Sequence, residues 1–433
     1  MTKLFADSKF LLQQTASLLI YQSVLHNPVG KAYVNLLNNL YTFSSETNIH
    51  RPNSITCLQA YSQWFNTLAQ VNLSWRDYLI QQILLDDNPF SLQVQTRSLD
   101  QISPSLIEAA KHDLTILQRI YQCRTEQIVK SVQKASQYHD TIIAWEPDTL
   151  NPSFLNQQEN WSEALKELAI HYRKHGTGIF ARYHALTWQD KQLQGIACPD
   201  PITLDEIVGY EDQKETLVKN TEFLLAGYAA LNVLLYGSRG SGKSSLVKAL
   251  LTQYRDRGLR LIEVTKSQLQ HLPQIVAQIR DIPQKFIIFV DDLSFEDDDD
   301  AFKALKVVLE GNVTAKATNT VVYATSNRRH LIREYFADRP RPQDSDEIHN
   351  WDTVQEKLSF SDRFGLTLTF EPANQDTYLQ IVHHLAAKAG IAIAKTELEF
   401  RAKQWATRHN GRSGRTARQF INYLQAETSL SRK

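Results

Sequence analysis

Between Asn232 and Asn327 four short apolar runs, NVLLYG, LRLIEV, KFIIFVDD and NTVVYATSN, are separated by stretches of helix length. Each run is too short for a helix and too uniformly apolar for a strand with one wet face, which is the signature of strands buried on both sides. Parallel neighbours need a crossover of a dozen or more residues, usually a helix, and those helices cover the faces of the sheet. The pattern predicts an α/β domain built on a parallel sheet.

The first run leads into a cluster of glycines. Gly237, Gly240 and Gly242, followed by Lys243 and Ser244, match the G-x-x-x-x-G-K-[ST] phosphate-binding loop, with a helix-forming stretch, SSLVKALLTQY, directly after it. Glycines let successive backbone N–H groups turn inward and form an anion cradle, while the lysine reaches the β- and γ-phosphates and the serine hydroxyl ligates magnesium. Ser241 and Ser245 belong to the same expected binding set.

The third run ends in Asp291 and Asp292. A carboxylate at the end of a buried strand is where a phosphate-loop enzyme holds hydrated Mg2+, and Asp291 fits that position. Asp292 is then placed to orient or deprotonate the attacking water, with helix capping as its plain alternative and Glu296 as the fallback base. The acidic residues Glu296 to Asp300 open the stretch DAFKALKVVLEG, where acids complement a helix dipole.

The flanks read as helical. Residues 1–195 show apolar positions at helical spacing, as in SLLIYQSVLHNPVGKAYVNLLNNLY, and their aromatics Trp64, Trp75 and Trp161 suit a core better than a ligand cage. The prolines of ACPDPITLDEIVGYEDQ mark a boundary, so the expected domains are 1–195, 200–372 and a small helical unit at 373–433. Lys plus Arg and Asp plus Glu each number 47, so no whole-chain field draws the protein to nucleic acid or an anionic membrane. Three scattered cysteines, Cys57, Cys123 and Cys198, carry no metal or disulfide pattern, and no run approaches the roughly 18 apolar residues of a membrane span. A cytoplasmic setting is the expectation.

From about Ile202 to Lys433 the chain resembles the AAA+ ATPases. LDEIVGYEDQKE is similar to the segment that packs on adenine, with Val208 and Gly209 at its centre, and VVYATSNRRHLI is similar to the sensor strand, whose polar residue here is Asn327. LSFSDRFGLTLTF resembles the segment that carries an arginine finger, here Arg363. GRSGRTARQFINYL resembles the lid helix with a second sensor arginine, for which Arg418 is the first choice and Arg415 the second. More narrowly, GSRGSGKSSLVKAL, DDLSFEDDDDAFKALKVVLEG, ATSNRRHLI, EKLSFSDRFGL and SGRTARQFI appear in the order found in the bacterial AAA+ family called domain of unknown function 815. Asp292 departs from the glutamate usual in AAA+ proteins.

The resemblance implies ATP and Mg2+ as ligands, a homo-oligomer, and catalytic roles for Lys243, Asp292, Asn327, Arg363 and Arg418. The function it implies is an ATPase that remodels or loads an unidentified protein or nucleic-acid client. The alternative is a slowly hydrolysing, nucleotide-gated scaffold, kept open by the Asp-Asp pair and by the lack of an aromatic pore-loop motif.

Overall fold

The computed structural model describes residues 3–44, 54–147, 153–294, 300–310, 317–327, 363–409 and 411–431. It divides into two compact units, Met1–Arg182 and Tyr183–Lys433.

The first unit is helical. Its helices include Lys3–Ala16, Pro28–Ser44, Ser54–Val71, Trp75–Leu85, Pro89–Thr96 and Pro104–Gln122. Local chemistry sets their starts: Ser74 accepts from the amide of Asp77, and Asn88 forms a reciprocal capping box with Ser91 while Pro89 occupies the first helical position. Trp64, Trp75 and Trp161 are buried, and Tyr33 stacks on Trp75 with ring centroids 4.2 Å apart, so these aromatics form core as expected.

Polar groups are buried in this unit only where they are paired. The carboxylate of Asp113, wholly buried, accepts from the backbone amides of Leu19, Ile20 and Tyr21 at 2.7 to 3.0 Å. Three donors of one chain reversal thus converge on a single acid from the helix Pro104–Gln122.

The second unit holds a seven-stranded sheet. Its strands are β1 (Ala185–Gln189), β2 (Gln192–Ile196), β3 (Val233–Gly237), β4 (Leu259–Glu263), β5 (Lys285–Val290), β6 (Thr320–Ser326) and β7 (Leu366–Phe370), in spatial order β2-β1-β4-β5-β6-β3-β7. All neighbouring pairs are parallel except β1 with β2. The four apolar runs became β3 to β6, and every residue of β6 is buried.

Two features depart from the sequence reading. The boundary expected at residue 195 lies earlier, because residues 185–196 form a hairpin on the sheet rather than the end of the helical unit. Its turn, Asp190 and Lys191, has φ of 51° and 60°, a left-handed pair that usually advertises itself through Asn-Gly or Asp-Gly. The second departure is β7, whose alternating LTLTF pairs with β3 through Leu366 to Phe370.

Beyond β7 three helices, Gln375–Lys388, Lys395–Arg408 and Gly414–Ser431, close around their own apolar cluster that includes Tyr378, Val382, Ala402 and Leu424. The sequence reading expected a small helical unit, a lid, after Pro372.

Candidate functional site

Strand β3 delivers the chain into the glycine loop, and the loop into the helix Lys243–Tyr254. Gly237 has φ of 137°, and a Cβ there would stand 2.0 Å from the carbonyl oxygen of Phe370 on β7, so no other residue fits between the two strands. Gly242 takes φ of 93° at the helix N-cap, turning the backbone so that the first amides of the helix face the loop interior.

The Lys243 side chain folds back into this loop. Its Nζ donates to the carbonyl oxygens of Gly237 at 3.0 Å and Ser238 at 2.7 Å, and lies 3.4 Å from Oδ1 of Asn327. Burial draws the ammonium pKa below the usual lysine value, while Asp291 and Asp292 oppose that shift.

Ser244, the first residue after the lysine, donates its hydroxyl to Oδ1 of Asp291 at 2.6 Å. The same carboxylate oxygen accepts from Oγ1 of Thr325 on β6 at 2.5 Å. Thr325 is buried and also accepts from the backbone N–H of Asp292 at 2.9 Å. Asp292 has φ of 52°, a left-handed conformation that aspartate tolerates better than most residues, and its Oδ1 accepts from Nδ2 of Asn327 at 2.7 Å. Asn327 therefore spans the loop lysine and the second aspartate. Among the described residues the next helix is Asp300–Glu310.

These groups line a cavity of about 390 Å³ together with Ser241, Ser245, Arg415 and Arg418. That is within the range of small-ligand pockets. Its lining also includes apolar side chains, Ile207 and Val208 from the strap before the helix Glu211–Leu225 and Ile381 and Leu385 from the helix Gln375–Lys388. Gly209 lies just outside, in an adjoining cleft with Tyr210 and Asn374.

The two lid arginines differ in what they meet. Arg415 is close enough for its charge to depress the Lys243 pKa, and its backbone N–H donates to the carbonyl oxygen of Gly240 at 3.3 Å. Arg418 donates through Nη2 to Oε2 of Glu206 at 2.8 Å. Both line the cavity.

Arg363 is placed elsewhere. It lies three residues before the start of β7, which runs parallel to β3 and pairs Phe370 with Gly237 at the glycine-loop end. The length of that strand, about 13 Å, thus separates Arg363 from the loop. Glu296 and the other acids up to Asp299 lie outside the described residues.

Thr325 and Glu206 were not singled out by sequence. Thr325 is one of several hydroxyl residues of its strand, with Thr320, Tyr323 and Ser326, and Glu206 is one acid among several in LDEIVGYED.

A bound Mg2+ takes hard oxygen donors, and the hydroxyl of Ser244 beside the carboxylate of Asp291 supplies two of them, leaving the remainder to phosphate and water. Among the described residues there is no cluster of three or more His, Cys, Asp or Glu suited to a metal, and no helix long and apolar enough to cross a membrane.

A family described as "Protein of unknown function (DUF815)" matches residues 181–428. Among solved structures, the Thermotoga maritima RuvB Holliday junction branch migration motor is similar at 13% identity, covering 52% of this chain and 72% of that one, with a TM-score of 0.31. Two point mutants of Thermotoga maritima RuvB give 14% identity and a TM-score of 0.33 over the same shares. No curated protein matches the chain.

Proposed function

The chain belongs to the DUF815 family, whose description assigns no reaction, and from the site itself we propose that the protein binds ATP and hydrolyses it. The observation that carries this reading is the continuous bonding from Lys243 through Asn327 to Asp292, beside the Ser244–Asp291 pair, in one cavity. Such a set would offer a cation for phosphate, a base for water and a hydrogen-bonding residue between them.

The phosphates lie along the loop amides and Lys243, and the base lies in the apolar slot between Val208 and Leu385. Ser244 and Asp291 would hold Mg2+, which when bound offsets charge on the β- and γ-phosphate oxygens. Asp292 takes a proton from water as its oxygen bonds to the γ-phosphorus and the bond to the β–γ bridging oxygen breaks, releasing ADP and phosphate. Asn327 orients that carboxylate. Arg415 is the better placed phosphate sensor, because Arg418 is engaged by Glu206 and Arg415 is felt by Lys243.

Arg363 stands a strand's length from its own loop, which supports a role on the nucleotide of a neighbouring copy in a homo-oligomer. The helical unit would choose the client, a protein or a nucleic acid. Turnover in the cytoplasm with release of the client is the output of this reading. The alternative, a slow nucleotide-gated scaffold, draws support from Asp292, which is shorter than glutamate and already accepts a hydrogen bond from Asn327.

Titration of the full chain with a fluorescent ATP analogue, with and without Mg2+, tests the reading. Lys243→Ala should weaken binding sharply without unfolding the protein. Equal affinity in the variant and the parent removes Lys243 from the site.

A further inference from the structure

The strap that leads to Val208 contains a short turn, Leu204–Glu206, and the side chain of Glu206 is only 12% exposed. Its two carboxylate oxygens go to different lid helices. Oε1 accepts from Nζ of Lys388, the last residue of Gln375–Lys388, at 2.7 Å, and Oε2 accepts from Arg418 of Gly414–Ser431 at 2.8 Å. Lys388 reaches further along the strap to Asp205 at 3.5 Å and Thr203 at 3.4 Å.

The lid and the strap are the two walls of the apolar slot. Ile207 and Val208 follow Glu206 directly, and Ile381 lies two turns of helix before Lys388. Gly209, with φ of 89°, lies so near the same helix that a Cβ would stand 2.4 Å from Cγ2 of Thr377. One acid therefore ties the strap to two helices, at the opposite end of Gln375–Lys388 from the close approach of Gly209 to Thr377.

We propose that Glu206 is a positioning residue that latches the lid over the bound nucleotide and so sets how long the nucleotide stays. This rests on the ATP-site reading above and assigns the latch to the slot for the base rather than to the phosphates. Charge suits a latch that must open. Lys388 and Arg418 are each 46% exposed, so water can take over either cation when the lid swings away, whereas an apolar seam would bind the two walls without release. Partial burial pushes the Glu206 carboxyl up, but Lys388 and Arg418 outweigh it and hold the group below the ordinary glutamate pKa. The carboxylate is the required chemistry, because a glutamine of the same shape offers an acceptor at one end only and turns N–H donors towards the second cation.

The experiment is stopped-flow release of fluorescent ADP and ATP from the full chain. Glu206→Gln should speed release of both nucleotides by about tenfold, the size expected for one lost charge-assisted hydrogen bond, with the association rate held. Arg415→Ala should speed release of ATP alone. Raising the salt concentration should quicken release from the parent by a larger factor than from Glu206→Gln. The double variant with Lys388→Met should be no faster than Glu206→Gln, because both break one unit. Unchanged release, an effect confined to ATP, salt sensitivity equal to the parent's, or additive effects each overturn the latch. If Glu206→Gln fails to fold, Lys388→Met and Arg418→Gln take its place, and both must speed release of both nucleotides. A parent that binds no nucleotide sinks the ATP reading itself, an outcome distinct from any of these.

Discussion

The hydroxyl of Thr325 donates to Oδ1 of Asp291 at 2.5 Å while accepting from the backbone of Asp292 at 2.9 Å, so one buried side chain on β6 sets the aim of both acids. Ser244 donates to the same oxygen of Asp291. The two aspartates are held from a neighbouring strand, not by their own loop.

Thr325→Val keeps the shape and removes both bonds. Outer-shell partners of this kind are worth about 10- to 100-fold in activity, so phosphate release should fall by that factor. ATP affinity should hold, since no loop amide is disturbed. A fall in affinity equal to the fall in turnover refutes the positioning role.

Asp292→Asn preserves volume but cannot accept a proton from water. Hydrolysis should drop by about 10²- to 10⁴-fold with ATP still bound, measured as phosphate release beside equilibrium binding. Undiminished release transfers the role to another group, and Glu296 is the first to try.

Arg363→Ala leaves a sound pocket without a finger, and Lys243→Ala leaves a sound finger beside a ruined pocket. Each alone should lose about a thousandfold or more in turnover. Mixed chains should regain part of it, because an intact Arg363 then meets an intact pocket across the interface. Co-assembly without recovered activity excludes sharing between subunits.

His171 in the helical unit gives a pH dependence. Its imidazole pKa is drawn from 6.5 down to about 4, first by burial and then by His175 and Lys174. Since the unfolded chain takes up the proton sooner than the folded one, stability is full above about pH 6.5 and declines as pH falls towards about 4. Denaturant melts across that window should show a shallower decline in His171→Phe than in the parent. Identical slopes place the loss in other groups.

The core of the site was legible because its chemistry demands residue types in fixed order: glycines, Lys243 and Ser244 at a strand–helix turn, and acids at the end of a buried strand. What stayed hidden is non-local. Glu206 gains meaning only from Lys388 and Arg418, far along the chain, and Thr325 only from Asp291, which follows the neighbouring strand β5. Arg415 and Arg418 stand three residues apart on one helix, a spacing that puts both on nearly the same face, so spacing alone could not choose between them. The hairpin at 185–196 escaped because Asp190 and Lys191 make a left-handed turn without glycine.

Asp113 also orders events in time. The amides of Leu19, Ile20 and Tyr21 have as their acceptor a carboxylate made more than ninety residues later on the ribosome. Until that residue emerges, these three amides lack their acceptor. Such long-range closure slows folding and prolongs the exposure of nascent apolar surface. This link of the unit closes only once the chain as far as Asp113 has been made.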